Sequence, residues 1–291
     1  MNILKNYEYY ENYNIKKYNT YRLDVVCKYM VFVKNIEELI ELLKNLKENN
    51  IKYLVLGNGS NVIFKENYYD GIIIKLDKLK QLKVNDKEVY VEAGYSLMKL
   101  SRDILEYGLS GLEFASGIPG LVGASIAMNA GAYNEDMSNV VKEVQVINNN
   151  NELITLTKED LKFEYRDSLL KKNKDYICVS AVLSLEYGKK EESLELINKR
   201  RERRMSAQPL EYPSAGSVFR NPEGMYAGEL IEKCGFKSYN INGAEVSEKH
   251  ANFIINKGIC TGKDILELIY LIKKKIKEEY NVDLILEQEI I

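Results

Sequence analysis

Glycine and alanine dominate residues 111–133, and this stretch limits the fold more than any other part of the sequence. Glycine stands at positions 111, 117, 120, 123 and 131, and alanine stands at 115, 124, 127, 130 and 132. A backbone with so few side chains lets another group come close, and N–H groups in loops and at helix starts bind anions. The composition allows two interpretations, which are a ligand held against the backbone and close packing between a loop and a helix.

A second glycine-rich segment, Gly-Asn-Gly-Ser-Asn at 57–61, follows the predicted strand 53–56. Consecutive N–H groups after a strand can form an anion-binding nest, although the same sequence also suits a simple turn. It is not a Walker A motif because the Lys-Ser/Thr pair is absent, and it is not a Rossmann fingerprint because Val62 stands where a third glycine would fall. The two glycine-rich segments support each other only if the fold brings them together.

Hydrophobic spacing predicts a mixture of helices and strands, so the expected fold class is α+β. One helix is predicted at 36–48, with Asn35 as its N-cap and Glu38 completing a capping box, and a second runs from Leu97 to near Gly108. A third predicted helix carries Leu194 and Ile197. A fourth begins with a cap formed by Thr261 and Asp264 and carries Ile265, Leu268, Ile269, Ile272 and Ile276. Strands are predicted at 53–56 (short and buried), 71–76, 89–93, 144–147, 153–157 and 176–187, with a final strand at 286–290.

The length of 291 residues suits two domains with a sizeable core. Residues 188–192 change the composition from apolar to charged, and the predicted domain boundary lies there. The charges of the whole chain nearly cancel, with 41 Lys and Arg against 43 Asp and Glu. Because such a chain has no global field that would attract nucleic acid or a membrane surface, the expected partner is a small molecule.

The sequence also indicates a compartment and excludes some site classes. Cys27, Cys178, Cys234 and Cys260 are far apart and are expected to be reduced core residues, which indicates the cytoplasm. No apolar run approaches the roughly 18 residues that span a bilayer, and the N-terminus has no apolar signal core. His250 is the only histidine, which argues against a zinc hydrolase site, and no metal is predicted.

Two segments of the second half suit either chemistry or plain structure. The basic cluster 199–204 is either a solvated helix face or, through one inward-facing arginine, a diphosphate site. It is short and has no interleaved aromatic residues, so RNA binding is disfavoured. The loop 213–219 contains Ser214 and Ser217, but most such hydroxyls only satisfy backbone groups, and the loop is not a nucleophile elbow.

The final strand carries two acidic residues on one face. Glu287 and Glu289 alternate onto that face, while Leu286, Gln288 and Ile290 take the other. Acidic side chains usually stay in contact with water, so the pair is either catalytic or simply solvent-facing.

Eleven short motifs occur in a recognisable order. They lie at 19–22 (NTYR), 56–61 (LGNGSN), 111–114 (GLEF), 117–123 (GIPGLVG), 128–133 (MNAGAY), 165–168 (YRDS), 208–210 (QPL), 213–219 (PSAGSVF), 221–222 (NP), 246–250 (VSEKH) and 286–289 (LEQE). Together they resemble the UDP-N-acetylenolpyruvoylglucosamine reductase family over nearly the whole chain. Only residues 169–175 separate the motif at 165–168 from the next strand, so the chain resembles the shorter second subclass of that family.

The resemblance implies a vanillyl-alcohol-oxidase-type (PCMH) FAD-binding region of two α+β lobes in residues 1–188. A smaller α+β substrate-binding domain would follow in residues 189–291, with its final strand returning to the active site. The residues that would bind FAD are Gly57, Asn58, Gly59, Ser60, Asn61, Gly117, Ile118, Pro119, Gly120, Val122, Gly123 and Ala124. Because no histidine precedes His250, histidyl attachment in the first region is excluded and the FAD is expected to be non-covalent. Asn134 stands where the family usually has glycine, but asparagine tolerates left-handed geometry.

The family's reaction is the NADPH-driven reduction of UDP-N-acetylglucosamine enolpyruvate to UDP-N-acetylmuramate for peptidoglycan synthesis, which also links the chain to cell shape and division. By resemblance, the hydride passes from flavin N5 to the substrate, and Arg166 and Glu289 lie at the substrate carboxylate, where a guanidinium offsets developing negative charge. We expect Glu289 to be protonated or paired with Arg166. Ser217 would deliver the proton to the enolate carbon.

The resemblance also implies the substrate contacts. They are Tyr165, Arg204, Asn221, Lys237 and His250, with the cations expected on the phosphates. The expected partners are therefore this substrate and NADPH, without nucleic acid or membrane insertion, and a monomer is favoured. Two alternatives are an oxidase of the same fold and a non-catalytic nucleotide-binding module.

Overall fold

The computed structural model describes residues 2–291 and is a mixture of helices and strands, which confirms the predicted α+β class. The helices are α1 Ile36–Glu48, α2 Leu97–Asp103, α3 Val122–Ala127, α4 Leu169–Lys172, α5 Lys190–Ala207, α6 Ala227–Lys233 and α7 Gly262–Tyr280. The strands are β1 Glu8–Asn14, β2 Val26–Phe32, β3 Tyr53–Val55, β4 Val62–Ile63, β5 Tyr68–Lys75, β6 Leu82–Asn85, β7 Glu88–Glu92, β8 Leu109–Ser110, β9 Gly131–Ala132, β10 Glu135–Asp136, β11 Val141–Ile147, β12 Leu153–Thr157, β13 Ile177–Ser184, β14 Glu186–Tyr187, β15 Asn240–Ile241, β16 Ala244–Val246, β17 Ile254–Asn256 and β18 Glu289–Ile290.

The predicted helix ends are confirmed where side chains cap the backbone. The side chain of Asn35 accepts the N–H of Glu38 at the start of α1, but the Glu38 carboxylate accepts the N–H of Lys34 and not that of Asn35, so the predicted capping box is only half formed. At the start of α7, Thr261 and Asp264 form the predicted capping box. Helix α2 continues as a 3₁₀ turn and ends at Gly108, whose φ of 70° is a left-handed cap. Local capping chemistry therefore fixes these boundaries.

The largest sheet has the order β12-β11-β13-β7-β6, and its neighbouring strands are antiparallel. Strands β11 and β12 form the predicted hairpin around the asparagine-rich turn. The predicted strand 176–187 is divided into β13 and β14, and Leu185 between them is 1% exposed. Helices α2 and α3 contribute Leu97, Leu100 and Ile126 to the hydrophobic core beside this sheet.

A second sheet has the order β1-β2-β5-β3, in which β3 and β5 are parallel. The prediction that residues 53–56 form a buried strand is wrong for its first residue. Strand β3 is at the edge of the sheet and pairs only with β5, so Tyr53 is 37% exposed. The predicted final strand is confirmed as β18, which pairs with β4 in parallel.

The chain forms two compact units. The first unit comprises the described residues up to Glu11, together with Tyr29–Gly57 and Gly71–Glu202. The second comprises Asn12–Lys28, Asn58–Asp70 and Arg203–Ile291. The compact units do not follow a single cut at residue 188, because α5 places Ile197 in the core of the first unit. The predicted functional division into 1–188 and 189–291 stays a prediction.

The cysteines are free thiols, and Cys27, Cys178 and Cys260 are buried as predicted, whereas Cys234 is only partly buried. Burial raises the pKa of the Cys178 thiol to about 12. Within residues 2–291, no helix combines the length and the apolar character that crossing a membrane requires.

Candidate active site

The fold brings the first residue of the segment 57–61 against the other glycine-rich segment within the first unit. A Cβ atom added to Gly57, just after β3, would lie 3.1 Å from the Cβ of Ala124 in α3. Gly57 therefore packs against the first turn of α3. This contact supports a ligand site that includes the backbone of both residues.

Some of the glycines are required by packing alone. A Cβ atom on Gly123 would lie 2.7 Å from the Cβ of Ala93 and 3.4 Å from the carbonyl oxygen of Cys178. Val122 is also a core residue with 0% exposure, so its side chain cannot face a ligand. Close packing therefore explains these two positions, and ligand binding by the other positions of residues 111–133 stays a prediction.

Several backbone donors around this contact are unused. Among the described residues, the N–H groups of Gly57, Gly120, Leu121 and Ala124 have no hydrogen-bond acceptor, whereas those of Val122 and Gly123 donate to backbone carbonyls. Ala124 is exposed, so its backbone is accessible from solvent. Unused N–H groups on a backbone almost free of side chains suit the diphosphate of a dinucleotide. The residues present in the first unit therefore fit FAD.

Lys75 supports the backbone at the end of β3 from inside the protein, and this role was not predicted from the sequence. Its side chain is fully buried, and its ammonium group donates to the carbonyl oxygens of Leu56, at 3.0 Å, and Gly57. The carboxylate of Asp77 lies 3.1 Å away. Burial lowers the pKa of Lys75, and Asp77 opposes that shift. A lysine inside the otherwise apolar segment 71–76 is the sequence signal that could have identified it.

The second unit holds residues 58–61 of the same motif. Gly59 has a φ of 61°, and its carbonyl oxygen accepts hydrogen bonds from the N–H of Thr20 at 3.1 Å and from its hydroxyl at 3.2 Å. The N–H groups of Gly59 and Ser60 have no acceptor in the described part of the chain. Thr20 therefore holds a turn whose two consecutive N–H groups are not used by backbone carbonyls, as an anion nest requires.

Arg166 is held by the loop that follows α3. Its guanidinium group donates to the carbonyl oxygens of Gly131 at 2.6 Å and Asn129 at 3.4 Å, and it lies 5.1 Å from the ring centre of Tyr165. The φ of Arg166 is 56°, in the left-handed region. Asn134, which was expected to tolerate such geometry, has a φ of 63°. The motifs at 128–133 and 165–168 thus form one local structure in the first unit.

The basic cluster 199–204 has one inward-facing member, but that residue is Arg200. Its side chain is only 12% exposed, pairs with Glu135 and lies 4.6 Å over the ring of Tyr133. The Tyr133 hydroxyl donates to the Arg200 carbonyl oxygen at 3.0 Å. Arg200 therefore forms a structural ion pair with Glu135 in the first unit. Arg204 is half-buried in the second unit, and its predicted phosphate contact stays a prediction.

Ser217 lies in a loop of the second unit, and an isolated bridge between Phe219 and Leu286 joins the end of this loop to the segment that leads to Glu289. The N–H of Glu287 donates to the carbonyl oxygen of Val218 at 2.8 Å, and the N–H of Glu289 donates to that of Asn61 at 2.9 Å. Ser217 is half-buried, and neither its hydroxyl nor its N–H finds an acceptor among residues 2–291. Glu289 is also half-buried, so it is not simply solvent-facing.

The predicted alternation of the last strand is only partly confirmed. Gln288 is buried with 3% exposure, as a residue of the inner face should be, but Ile290 on the same predicted face is 51% exposed. Strand β18 has only two residues, so the alternation does not extend through Ile290. The buried amide of Gln288 was not singled out from the sequence.

His250 and Lys237 lie near one another in the second unit. Burial lowers the pKa of His250, and the positive charge of Lys237 lowers it further. The Nδ1 atom of His250 accepts the N–H of Asn252 at 3.3 Å, so the neutral ring carries its proton on Nε2. Lys237 pairs with Glu232 at 2.7 Å. The Asn221 side chain accepts the N–H of Ala227 at the start of α6, and its substrate contact stays a prediction.

Two family models match the chain. The FAD binding domain model covers residues 27–157, which include every residue predicted to bind FAD. The model of the UDP-N-acetylenolpyruvoylglucosamine reductase C-terminal domain covers residues 208–291. That range includes Ser217, His250 and Glu289.

Curated proteins and solved structures agree with these models. The UDP-N-acetylenolpyruvoylglucosamine reductase of Anoxybacillus flavithermus is 42% identical over 97% of this chain and 93% of the relative, and that of Caldanaerobacter subterraneus is 41% identical over 99% and 95%. The crystal structure of the reductase from Thermus caldophilus has a TM-score of 0.81 at 32% identity and covers 98% of both chains.

A solvent-stable cholesterol oxidase has a TM-score of 0.50 at 14% identity, covering 62% of this chain and 38% of the oxidase, and this likeness concerns the fold alone. It agrees with the predicted vanillyl-alcohol-oxidase-type fold of the FAD-binding region. With two family models, full-length relatives above 40% identity and a solved structure of the same shape, the chain belongs to the UDP-N-acetylenolpyruvoylglucosamine reductase family.

Proposed function

We propose that the protein reduces UDP-N-acetylglucosamine enolpyruvate to UDP-N-acetylmuramate, with FAD as cofactor and NADPH as reductant, in the synthesis of peptidoglycan precursors. The observation that carries the proposal is the half-buried Ser217, whose hydroxyl has no partner within residues 2–291, in a loop beside the segment that leads to Glu289. A proton donor kept free of other hydrogen bonds is what the reduction of a carbon–carbon double bond needs.

FAD is held without a covalent bond. In the first unit, the unused N–H groups of Gly57, Gly120 and Ala124 face an almost bare backbone and would take the diphosphate. The other predicted FAD ligands are Asn58, Gly59, Ser60, Asn61, Gly117, Ile118 and Pro119. Val122 and Gly123, which were also predicted to bind FAD, donate their N–H groups to backbone carbonyls and support the site by packing. Bound flavin supplies a hydride from N5, and NADPH replenishes it.

Arg166 and Ser217 divide the work on the enolpyruvyl group. As a hydride adds to the carbon β to the carboxylate, the electron pair of the double bond moves toward the α carbon and the carboxylate. The fixed charge of Arg166 stabilises that negative charge, and the guanidinium is already oriented by the Asn129 and Gly131 carbonyls. The O–H bond of Ser217 then breaks, its proton forms the C–H bond at the α carbon, and water reprotonates the serine oxygen. Glu289 is the second residue that we propose for contact with this carboxylate.

The remaining contacts bind the rest of the substrate. Arg204 and Lys237 take the diphosphate as cations, and Tyr165 and Asn221 contact the sugar nucleotide. His250 donates from Nε2 as a neutral imidazole, because burial and Lys237 both disfavour its charged form. The enzyme works as a monomer. It works in the cytoplasm, where NADPH is available and the cysteine thiols of the protein stay reduced. Its product places it in cell-wall synthesis and hence in the control of cell shape and division.

The decisive experiment is NADPH oxidation by the purified protein with and without UDP-N-acetylglucosamine enolpyruvate. We expect strong consumption that depends on the substrate, whereas a non-catalytic nucleotide-binding module gives a flat trace in both cases. Acid precipitation separates the reductase from a histidyl-tethered oxidase, since non-covalent FAD is released to the supernatant. Yellow colour retained in the pellet would contradict that assignment.

A further inference from the structure

A buried amide of the second unit lies between the two residues assigned to catalysis. Gln288 precedes Glu289 in the chain, and its Nε2 donates to the carbonyl oxygens of Ala215 at 3.0 Å and Gly216 at 3.3 Å, directly before Ser217. We propose that Tyr21 and Gln288 form a clamp that positions the Ser217 hydroxyl for proton transfer. The proposal rests on the proposed function and adds two positioning residues to it.

The other end of the amide is fixed by Tyr21. The Tyr21 hydroxyl donates to Oε1 of Gln288 at 3.0 Å, and both side chains are buried, with 0% and 3% exposure. Since two carbonyls lie at one end of the amide and a phenol at the other, only one orientation of the amide satisfies every group. Burial raises the pKa of Tyr21, so the phenol keeps the proton that it donates.

Tyr21 is itself anchored on both sides of its own backbone. The Nδ2 atom of Asn256 donates to the carbonyl oxygen of Tyr21 at 2.8 Å. Asn19 accepts the N–H of Leu23 at 2.8 Å and donates to its carbonyl at 3.1 Å, which closes the turn around Tyr21. The motif at 19–22 has no contact assigned to cofactor or substrate in the proposed function, apart from Thr20 at the glycine turn. Presenting a rigid phenol to Gln288 gives this motif a role.

The clamp acts on a peptide bond that would otherwise be free to turn. Gly216 has a φ of 75°, and a Cβ atom added there would meet nothing within 4 Å, so its conformation is not imposed by packing. Holding the Gly216 carbonyl fixes the plane of the peptide bond to Ser217, and because the bond is trans, the Ser217 N–H points the opposite way. That plane fixes the N–Cα bond of Ser217, and the side chain extends from this Cα atom.

The same amide also influences Glu289. Successive residues of an extended segment point to opposite faces, so an inward Gln288 turns its neighbour outward from that core. The N–H of Glu289 donates to Asn61, and the side chain of Asn61 donates to the carbonyl of Glu287 at 3.1 Å. The clamp therefore ties the register of the last strand to the loop that carries Ser217.

The test uses Tyr21→Phe and Gln288→Met in the FAD-loaded protein, followed by rapid mixing. We expect flavin reduction by NADPH to stay within about twofold of the parent, and reoxidation by the enolpyruvyl substrate to slow by about 10- to 100-fold, because a misplaced group loses about that much. The reoxidation rate of the double variant should fall by less than the product of the two single fold-changes, because both substitutions break the same clamp. Tyr95→Phe is the control, because it removes a buried hydroxyl that is hydrogen-bonded to Asp103 and Lys99 elsewhere.

Hydrogen exchange of the cofactor-free chain gives a readout that does not depend on turnover. Peptides covering residues 213–219 should exchange faster in Tyr21→Phe and Gln288→Met than in Tyr95→Phe, with the rest of the second unit unchanged. Reoxidation at the parent rate in the milder variant Tyr21→Phe would overturn the clamp, and so would an equal slowing of both half-reactions. Failure of the proposed function looks different, because the parent protein itself would then not be reoxidised by the substrate.

Discussion

The side chain of Asn252 exchanges two hydrogen bonds with the backbone of Phe219. Its Oδ1 accepts the Phe219 N–H at 2.9 Å, and its Nδ2 donates to the Phe219 carbonyl at 2.8 Å, while the Asn252 carbonyl accepts the N–H of Val218 at 2.8 Å. Asn252 is 4% exposed, and its own N–H reaches Nδ1 of His250. One buried asparagine thus connects the segment after Ser217 to the histidine loop.

Replacing Asn252 should therefore destabilise the second unit. In Asn252→Ala, the backbone N–H and carbonyl of Phe219 lose their partners in a buried place, at about 1–3 kcal/mol for each group left unpaired. Urea unfolding should show this loss as a lower midpoint. Asn49→Ala is the control, because Asn49 is exposed and bonds only within α1, and it should change stability by less than about 0.5 kcal/mol. Equal midpoints for the two variants would contradict the prediction.

His250 should titrate below the ordinary histidine pKa of 6.5. Burial is the main cause, a backbone hydrogen bond opposes it, and the charge of Lys237 lowers the pKa further, so Lys237→Met should move the pKa part of the way back. Because this is the only histidine, one imidazole resonance in a proton NMR titration measures the value directly. A pKa at or above 6.5 would show that the ring is not buried as described.

The same shift has a consequence for stability. As the pH falls below about 6.5, the unfolded chain binds the proton before the folded chain does. The contribution of His250 to the free energy of unfolding is thus complete above that pH and is lost as the pH falls toward the folded pKa. His250→Phe should remove this part of the pH dependence in urea unfolding between about pH 5 and 7.

Ser217→Ala should separate the two halves of the reaction. NADPH should still bleach the flavin, because the serine hydroxyl has no part in that step, while reoxidation by the enolpyruvyl substrate should fall by about 10²- to 10⁴-fold. Ser214→Ala is the matched control from the same loop. If Ser217→Ala turns over normally, another group supplies the proton.

Gly123 should not tolerate a methyl group. In Gly123→Ala the new Cβ atom would lie 2.7 Å from the Cβ of Ala93, so α3 must shift, at about 1–3 kcal/mol for overpacking. Since α3 carries the unused N–H of Ala124 and packs against Gly57, we expect less FAD per chain, measured as the ratio of absorbance at 450 and 280 nm. Gly108→Ala has open space at its Cβ and should keep its FAD despite strain at its φ of 70°.

Lys75→Met should weaken FAD binding without unfolding the protein. The carbonyls of Leu56 and Gly57 lose their donor, while the cost of keeping a charge buried disappears, so the two effects on stability oppose one another. The turn itself loses its support, and we expect about a tenfold rise in the FAD dissociation constant by fluorescence titration. Lys78→Met, at an exposed pair with Glu8, is the control. Equal FAD affinity in both variants would show that Lys75 does not order the turn.

The sequence predicted best what local chemistry determines. Asn35 capping α1 and the Thr261 and Asp264 box at α7 involve residues three apart, so their signal lies in one short window. The ordered motifs likewise located Ser217 and Glu289 because each motif is contiguous. Their catalytic roles stay predictions.

The features that the sequence did not reveal depend on distant partners. Lys75 and Gln288 are polar residues whose burial is explained only by carbonyls and a phenol that lie elsewhere in the chain. Helix α5 is charged around most of its surface, so its sequence could not show that Arg200 faces inward and Arg204 belongs to the second unit. The assignment of residues 12–28 and 58–70 to the second unit has no local signal either.

The parallel pairing of β4 with β18 sets the order in which the molecule can be completed during its synthesis. Val62 is made early, but its partner Glu289 leaves the ribosome more than 200 residues later. At about 5–20 residues per second, the early segment waits roughly 10–45 s for its neighbour. The first unit ends at Glu202, so all of its residues are made before Glu289. The nascent protein should therefore acquire a protease-resistant first unit while residues 58–70 are still open to chaperones.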